Sequence, residues 1–248
     1  MNIRQALEER KKPLVLDGGF GTMVQRYGLK EEDFRGYRYR DIPGMLLGNN
    51  EMLCLTRPDV VGDIYRAYVD AGADILTANT FSANSISQAD YNCQHLVAEM
   101  NREAVRLARR AFADSGREGF VIATVGPTNK SLSISPDMND PACRAITFDQ
   151  LAEAYIGQME VLAQEGVDAI LLETVFDTLN AKAGIYAMQE VMQRTGKDIP
   201  LMLSATVNDT AGRLLSGQTL EAFLISVSHA PLLSIGLNCS FGAGQMLP

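Results

Sequence analysis

The sequence predicts an α/β fold of the (βα)8 TIM-type barrel, truncated to about six βα units, on three observations. Short apolar runs rich in β-forming residues alternate with longer stretches of helical period, the pattern of parallel strands covered by helices. With 248 residues and 46% hydrophobic content, the chain can bury one full-sized core. Each apolar run gives way to polar or small residues, as strands do at the rim where barrel enzymes place their chemistry.

The elements follow in order. The charged, amphipathic start MNIRQALEERKK has no apolar signal core, and Leu14 to Leu16 is the first predicted strand. Apolar residues three and four apart predict a helix over Pro58 to Ala71, ended at Gly72, before a strand over Ala73 to Ala78. The same spacing predicts a helix over Cys93 to Ser115, ended at Gly116, and a strand over Phe120 to Val125. Thr147 caps a helix over Phe148 to Glu165 that Gly166 ends, and Ala169 to Leu172 is the next strand. Asp177 caps a helix over Thr178 to Thr195, ended at Gly196, and Leu201 to Ala205 follows as a strand. Thr219 to Ser228 and Leu232 to Leu237 complete the sixth pair.

Composition narrows the function. Thirty acidic against 22 basic residues give a formal charge of −8, and no basic cluster interleaves with aromatics, which argues against nucleic acid or an anionic membrane as partner and for a small substrate. No apolar run approaches the roughly 18 residues of a membrane span. Cys54, Cys93, Cys143 and Cys239 are far apart without CxxC pairing, which points to a reducing, cytoplasmic setting.

The strand exits fall at Asp17, Asn79, Gly126, Glu173, Thr206 and Cys239, positions that six consecutive parallel strands bring onto one rim. The first exit reads DGGFGTM, where Gly18, Gly19 and Phe20 offer backbone N–H groups to an anion and Asp17 offers a carboxylate to a cation, a pairing that suits an amino acid. A tight turn capped by Asp17 explains the same string equally well, and no GxGxxG fingerprint accompanies it. Glu173 stands at a strand end where burial makes an unpartnered acid costly, so it either binds something or caps a neighbour. Asp177 reads as a helix cap. The loop Asn129 to Asp149 is too long for a bare connector and is expected to cover the mouth or meet a partner domain. Cys239 follows the strand LLSIGLN as a soft thiolate donor, although an isolated cysteine is more often a small buried hydrophobe. The other three cysteines and the two histidines, His95 and His229, show no ligand spacing.

The loop DGGFGTM, TANTFSAN (Thr77 to Asn84), VGPTNKSLSISPDMNDP (Val125 to Pro141), the run from Thr147 to Ala183 containing LLETVFDTLNAKA, and GLNCSFGA (Gly236 to Ala243) together resemble the N-terminal homocysteine-binding domain of cobalamin-dependent methionine synthase. The resemblance spans essentially the whole chain. The shorter, cobalamin-independent homocysteine S-methyltransferases and the betaine-dependent enzyme are similar in DGGFG and in the strand-end cysteine, but not in SLSISPDMNDP or FDTLNAKA. The resemblance implies a transferase barrel, residues 1–248 forming one C-terminally incomplete homocysteine-binding domain, in which zinc activates the homocysteine thiol for attack on methylcobalamin. Methylcobalamin is recharged from methyltetrahydrofolate, and cobalamin and folate are held by other domains of the full-length enzyme. Cys239 matches the first zinc ligand, Asp17 and Glu173 match acids that hold the substrate ammonium, and the backbone of Gly18, Gly19 and Phe20 takes its carboxylate. Asn238 matches a motif position as a structural neighbour. The family's other two zinc ligands, an adjacent cysteine pair in a GGCC motif, are absent from this sequence, so the zinc site is expected to be incomplete and the chain inactive alone.

Zinc chemistry fits such a role, since a thiol with a reference pKa of about 8.5 is mostly protonated at neutral pH and coordination favours the thiolate without a general base. Three thiolates leave one position open for substrate sulfur. A six-stranded arc also leaves unpaired edges, so self-association is expected. Two other readings stay open: a cobalamin-independent homocysteine S-methyltransferase, and a non-catalytic amino-acid-binding barrel.

Overall fold

A computed structural model describes residues 1–9, 13–209, 211–242 and 244 of the chain. Five parallel strands lie side by side in chain order: β1 (Ile75–Ala78), β2 (Phe120–Val125), β3 (Ala169–Val175), β4 (Leu201–Ala205) and β5 (Leu232–Leu237). The helices among the described residues are α1 (Ile3–Glu9), α2 (Phe20–Gln25), α3 (Glu31–Arg35), α4 (Leu53–Thr56), α5 (Pro58–Asp70), α6 (Ser85–Ala89), α7 (Val97–Ser115), α8 (Phe148–Gln164), α9 (Thr178–Thr195) and α10 (Leu220–Val227). Sequential parallel order with a helix in every crossover is an α/β arc of the TIM-barrel type.

Local chemistry explains the boundaries. The Thr147 side chain accepts from the Gln150 N–H while the Gln150 side chain accepts from the Thr147 N–H, a reciprocal capping box that starts α8. Gly116 and Gly196 stop α7 and α9 in the left-handed region, at φ 69° and 67°, where a Cβ would be strained. The buried face of α7 carries Met100, Ala104, Val105, Leu107, Ala108 and Ala111, the three- and four-residue spacing read from the sequence.

Strand alternation builds the barrel interior in two layers. Ile75, Ile122, Ala169 and Leu171 cluster at the lower level, with Leu14, Phe120, Met202 and Leu233 packed against them. Ile3 of α1 plugs this layer from below at 1% exposure, a burial that contributes about 1.5–3 kcal/mol. Two residues further along the same strand faces come Thr77, Thr124, Glu173 and Ser204. The interior therefore changes from apolar to polar toward the C-terminal ends of the strands, and that change marks the mouth.

Four expectations need correction. Leu14 to Leu16 forms no full strand: it meets β1 through the single bridge Leu16 to Ile75, because Pro13 has no N–H to donate and Gly18-Gly19 follow at once. Ala73 and Asp74 belong to the turn into β1, where the Asp74 N–H donates to Val15 O at 2.8 Å. The helix expected from Cys93 opens with a 3-10 turn over Gln94–Leu96, and its α-helical part starts at Val97. β3 continues past Leu172 to Val175 through a register shift, with Thr174 at φ 59°, so Glu173 sits within a bulged strand end.

Among the described residues the outer edges are apolar and unpaired, with Val15 54% and Ile235 40% exposed. Among the described residues no helix is long and apolar enough to cross a membrane.

Candidate active site

At the polar end of the barrel interior lies a cleft of about 510 Å³ lined by residues from distant parts of the sequence. The six residues singled out from sequence, Asp17, Gly18, Gly19, Phe20, Glu173 and Cys239, all line it, together with Asn79. Gly126 and Thr206, also strand exits, do not line it. Gly126 is packed away against Phe81, whose carbonyl would lie 2.7 Å from a Cβ there. The loop Asn129 to Asp149, expected to cover the mouth or meet a partner domain, supplies no lining residue to the cleft. It is instead tied to the start of α9. Ser131 and Ser133 hydroxyls donate to the Asp177 carboxylate at 2.5 and 2.7 Å, and the Leu132 N–H donates to Asn180 at 3.0 Å. Burial pushes the Asp177 carboxyl up, but those bonds and the cap bond from Leu179 outweigh it and hold the acid below its ordinary value.

Asp17 is fixed by β1. The Thr77 N–H donates to one carboxylate oxygen at 2.8 Å and the Thr77 hydroxyl to the other at 2.9 Å. Burial is the largest influence on its acidity, the Thr77 bonds work against it, and the negative charge of Glu173 adds to it, leaving Asp17 pushed up to about 7. The glycine loop after it is held by Tyr68, whose hydroxyl donates to Gly19 O at 3.1 Å; a Cβ at Gly18 would lie 2.9 Å from that hydroxyl, which is why glycine stands there. Glu173 faces the mouth in phase with Ala169 and Leu171, and burial raises its pKa. Among the described residues no hydrogen bond or ion pair reaches its carboxylate. No lysine, arginine or histidine among them lines the cleft, so Asp17 and Glu173 have no protein cation to pair with there. Two adjacent acids without a counter-ion make a place for a ligand's positive charge.

Cys239 stands across the mouth on the exposed side, at φ 47°. Asn238 sets its direction. Its side-chain amide donates to Thr174 Oγ1 at 2.7 Å and to Cys239 Sγ at 3.2 Å, while its oxygen accepts from the Ser204 hydroxyl at 2.9 Å. The thiol is thereby held beside Glu173's neighbour Thr174, with Thr174 Oγ1 3.7 Å from Sγ. Cys54 and Cys93 are buried, and burial pushes the Cys54 thiol up to about 12, which makes it inert.

The structure also brings in residues that sequence reading passed over: Thr77, Asn50, Glu51 and Ser82 line the same cleft. Asn50 and Glu51 lie in the long segment between the first strand and α5, where no periodicity announces a role. Their one signal is the polar triplet Asn49-Asn50-Glu51 set directly before the apolar run Met52 to Leu55. As to a metal, Cys239 is a soft donor with an accessible sulfur, but no group of three or more His, Cys, Asp or Glu among the described residues could hold an ion. The described residues thus do not fit a complete metal site.

The cleft can hold a small zwitterion with its cationic end on carboxylates, its anionic end on loop amides and its far end toward a thiol. The chain is similar in fold to the homocysteine methyltransferase MmuM from Escherichia coli. With the oxidized form it shares 19% identity over 96% of this chain and 77% of that one, at a TM-score of 0.72. The metallated form gives 19% identity over 95% and 77% at 0.71, and the apo form 18% over 97% and 77% at 0.66. A family model described as homocysteine S-methyltransferase matches residues 14–248, so this chain belongs to the homocysteine S-methyltransferase family.

Proposed function

We propose that the chain is the homocysteine-binding part of a cobalamin-dependent methionine synthase. The observation that carries this reading is the convergence of Asp17, the Gly18 to Phe20 backbone, Glu173 and Cys239 on one cleft. In it, Asp17 and Glu173 receive the homocysteine ammonium, and the backbone N–H groups after Asp17 receive its carboxylate. Cys239 stands at the sulfur end. It contributes one zinc thiolate ligand, and the remaining ligands come from outside the described residues.

What this chain's own residues do is orient. Both charged groups sit on the α-carbon of homocysteine, so holding the two fixes its direction and confines the thiol at its other end to the Cys239 side of the mouth. Asn238 and Thr174 keep the Cys239 sulfur turned toward that space. The partners proposed are homocysteine and the cobalamin and folate domains of a longer chain. The segment Asn129 to Asp149, tied to Asp177 at Ser131 and Ser133 and outside the cleft, supports this over the shorter enzymes because a long exposed loop of this kind offers a surface to a partner domain.

Methionine formation from L-homocysteine, assayed in the full-length protein with methylcobalamin and separately with betaine, tests the reading. Turnover with methylcobalamin alone is the expected result, and turnover with betaine alone would overturn it. Elemental analysis of the same protein should give about one zinc, lost in Cys239→Ala.

A further inference from the structure

The cleft holds a third acid besides Asp17 and Glu173. Glu51 sits on the short 3-10 turn Asn50–Met52 and lines the cleft although the residue is only 6% exposed. Its Oε1 accepts from the Ser82 N–H at 2.8 Å, and no other described residue donates to this carboxylate. The neighbouring Asn50 side chain lines the same wall and makes no hydrogen bond among the described residues. It lies opposite the glycine loop, with its Nδ2 3.8 Å from where a Cβ on Gly21 would stand.

A second polar wall therefore faces the loop amides that take the ligand's anionic end. An ionised Glu51 would be repelled by a carboxylate held there. A neutral Glu51, with Oε1 occupied as acceptor, would present an O–H donor from Oε2. We infer that Glu51 and Asn50 are substrate-binding residues that donate hydrogen bonds to the carboxylate of the bound amino acid, Glu51 as the neutral acid and Asn50 through Nδ2. The proton stays on Glu51, and no bond is made or broken.

The surroundings favour that protonation state. No basic side chain among the described residues lines the cleft, and burial raises the Glu51 pKa, against which only the Ser82 N–H and Glu51's own backbone N–H act. The titratable groups that feel its charge, Cys54 and Tyr91, are themselves pushed toward their neutral forms by burial. Asp17 differs, because Thr77 donates to both its oxygens and leaves neither free to aim a proton at the carboxylate. A bound ammonium favours the ionised, accepting forms of Asp17 and Glu173, whereas a bound carboxylate favours the neutral, donating form of Glu51.

This inference rests on the proposed binding of homocysteine, and the experiment separates the two. Calorimetric titration of the whole chain is carried out with L-homocysteine and with 3-aminopropane-1-thiol, which lacks the carboxylate, on the original protein, Glu51→Ala and Glu51→Gln. Glu51→Ala should weaken homocysteine roughly tenfold to a hundredfold, the range for a hydrogen bond to a charged group, and leave the carboxylate-free thiol within about threefold. Glu51→Gln should rescue homocysteine binding to within about threefold, since its amide oxygen can accept from Ser82 and its NH2 can donate to the ligand. A purely structural role would weaken both ligands together. Equal weakening of both ligands by Glu51→Ala, failure of the Gln rescue, or no effect of Glu51→Ala would each overturn this inference alone. Absence of homocysteine binding by the original protein would overturn the functional reading and this inference with it.

Discussion

The two sides of the cleft are built differently. On the side of β1, Asp17 is gripped through both oxygens by Thr77, Glu51 is pinned by the Ser82 N–H, and the supporting side chains Leu76 and Tyr65 are fully buried. On the side of β5, Cys239 is exposed, and its strand carries no fully buried residue among those described. The amino-acid end is thus preorganised by a packed core, whereas the sulfur end hangs on one edge strand and one asparagine. In the proposed function, recognition of the amino acid and activation of its sulfur therefore fall to differently built walls.

The largest expected effect contrasts the packing of the two walls. Leu76→Ala on β1 should cost about 2–5 kcal/mol in urea unfolding, as a fully buried leucine does when the site cannot collapse. Ile235→Ala on β5 should cost less than about 1 kcal/mol, because the side chain is 40% exposed already. Equal costs would mean that β5 is packed as firmly as β1.

Next in size is a pH effect of Asp17, on the preorganised side. The folded-state pKa of Asp17, about 7, lies above its ordinary value of 3.8. Its stabilising contribution is then fully present below the unfolded value and is lost as pH rises from about 4 through 7. The loss is on the order of 1–3 kcal/mol after allowance for partial solvent access. Asp17→Asn should flatten that part of the stability profile, and an unchanged slope would show that Asp17 is not the group responsible. Ammonium binding has the opposite sign, since it needs the ionised acid, so homocysteine affinity should strengthen as pH rises through about 7.

A smaller effect lies at the sulfur end. Asn238→Ala removes the bonds to Thr174, Ser204 and Cys239 Sγ and should cost about 1 kcal/mol. It should change the rate of Cys239 alkylation while leaving the buried Cys54 and Cys93 unreactive. Mass-spectrometric mapping after a short pulse of iodoacetamide reads this, and an alkylation rate unchanged by the substitution would show that Asn238 does not orient the thiol.

The fold was largely legible because its signals are local. The helices from Phe148 and Thr178 and the strands at Phe120, Leu201 and Leu232 follow from caps, periodicity and apolar runs, and four of the six strand exits meet in the cleft. What escaped depends on tertiary geometry. Thr77 reads as an ordinary strand residue until Asp17 is placed beside it, and Glu51 lies in a segment without period whose burial only the fold imposes. Glu173 was found as an acid at a strand end, but the bulge at Leu172 to Val175 that keeps it within β3 has no mark in the sequence beyond Thr174, a residue that rarely takes a positive φ.

The most direct test of the account is thiol–disulfide exchange with homocystine, followed by mass spectrometry of each cysteine. Attack by the Cys239 thiolate on the disulfide leaves one homocysteine on Cys239 and releases the other as thiolate. Modification should concentrate at Cys239 and slow at least about tenfold in Asp17→Ala and in Glu173→Gln, since both acids hold the ammonium that sets the ligand's approach. Modification of Cys143 at the same rate, or a Cys239 rate indifferent to both acids, would contradict the claim that this cleft binds homocysteine by its amino-acid end with sulfur at Cys239.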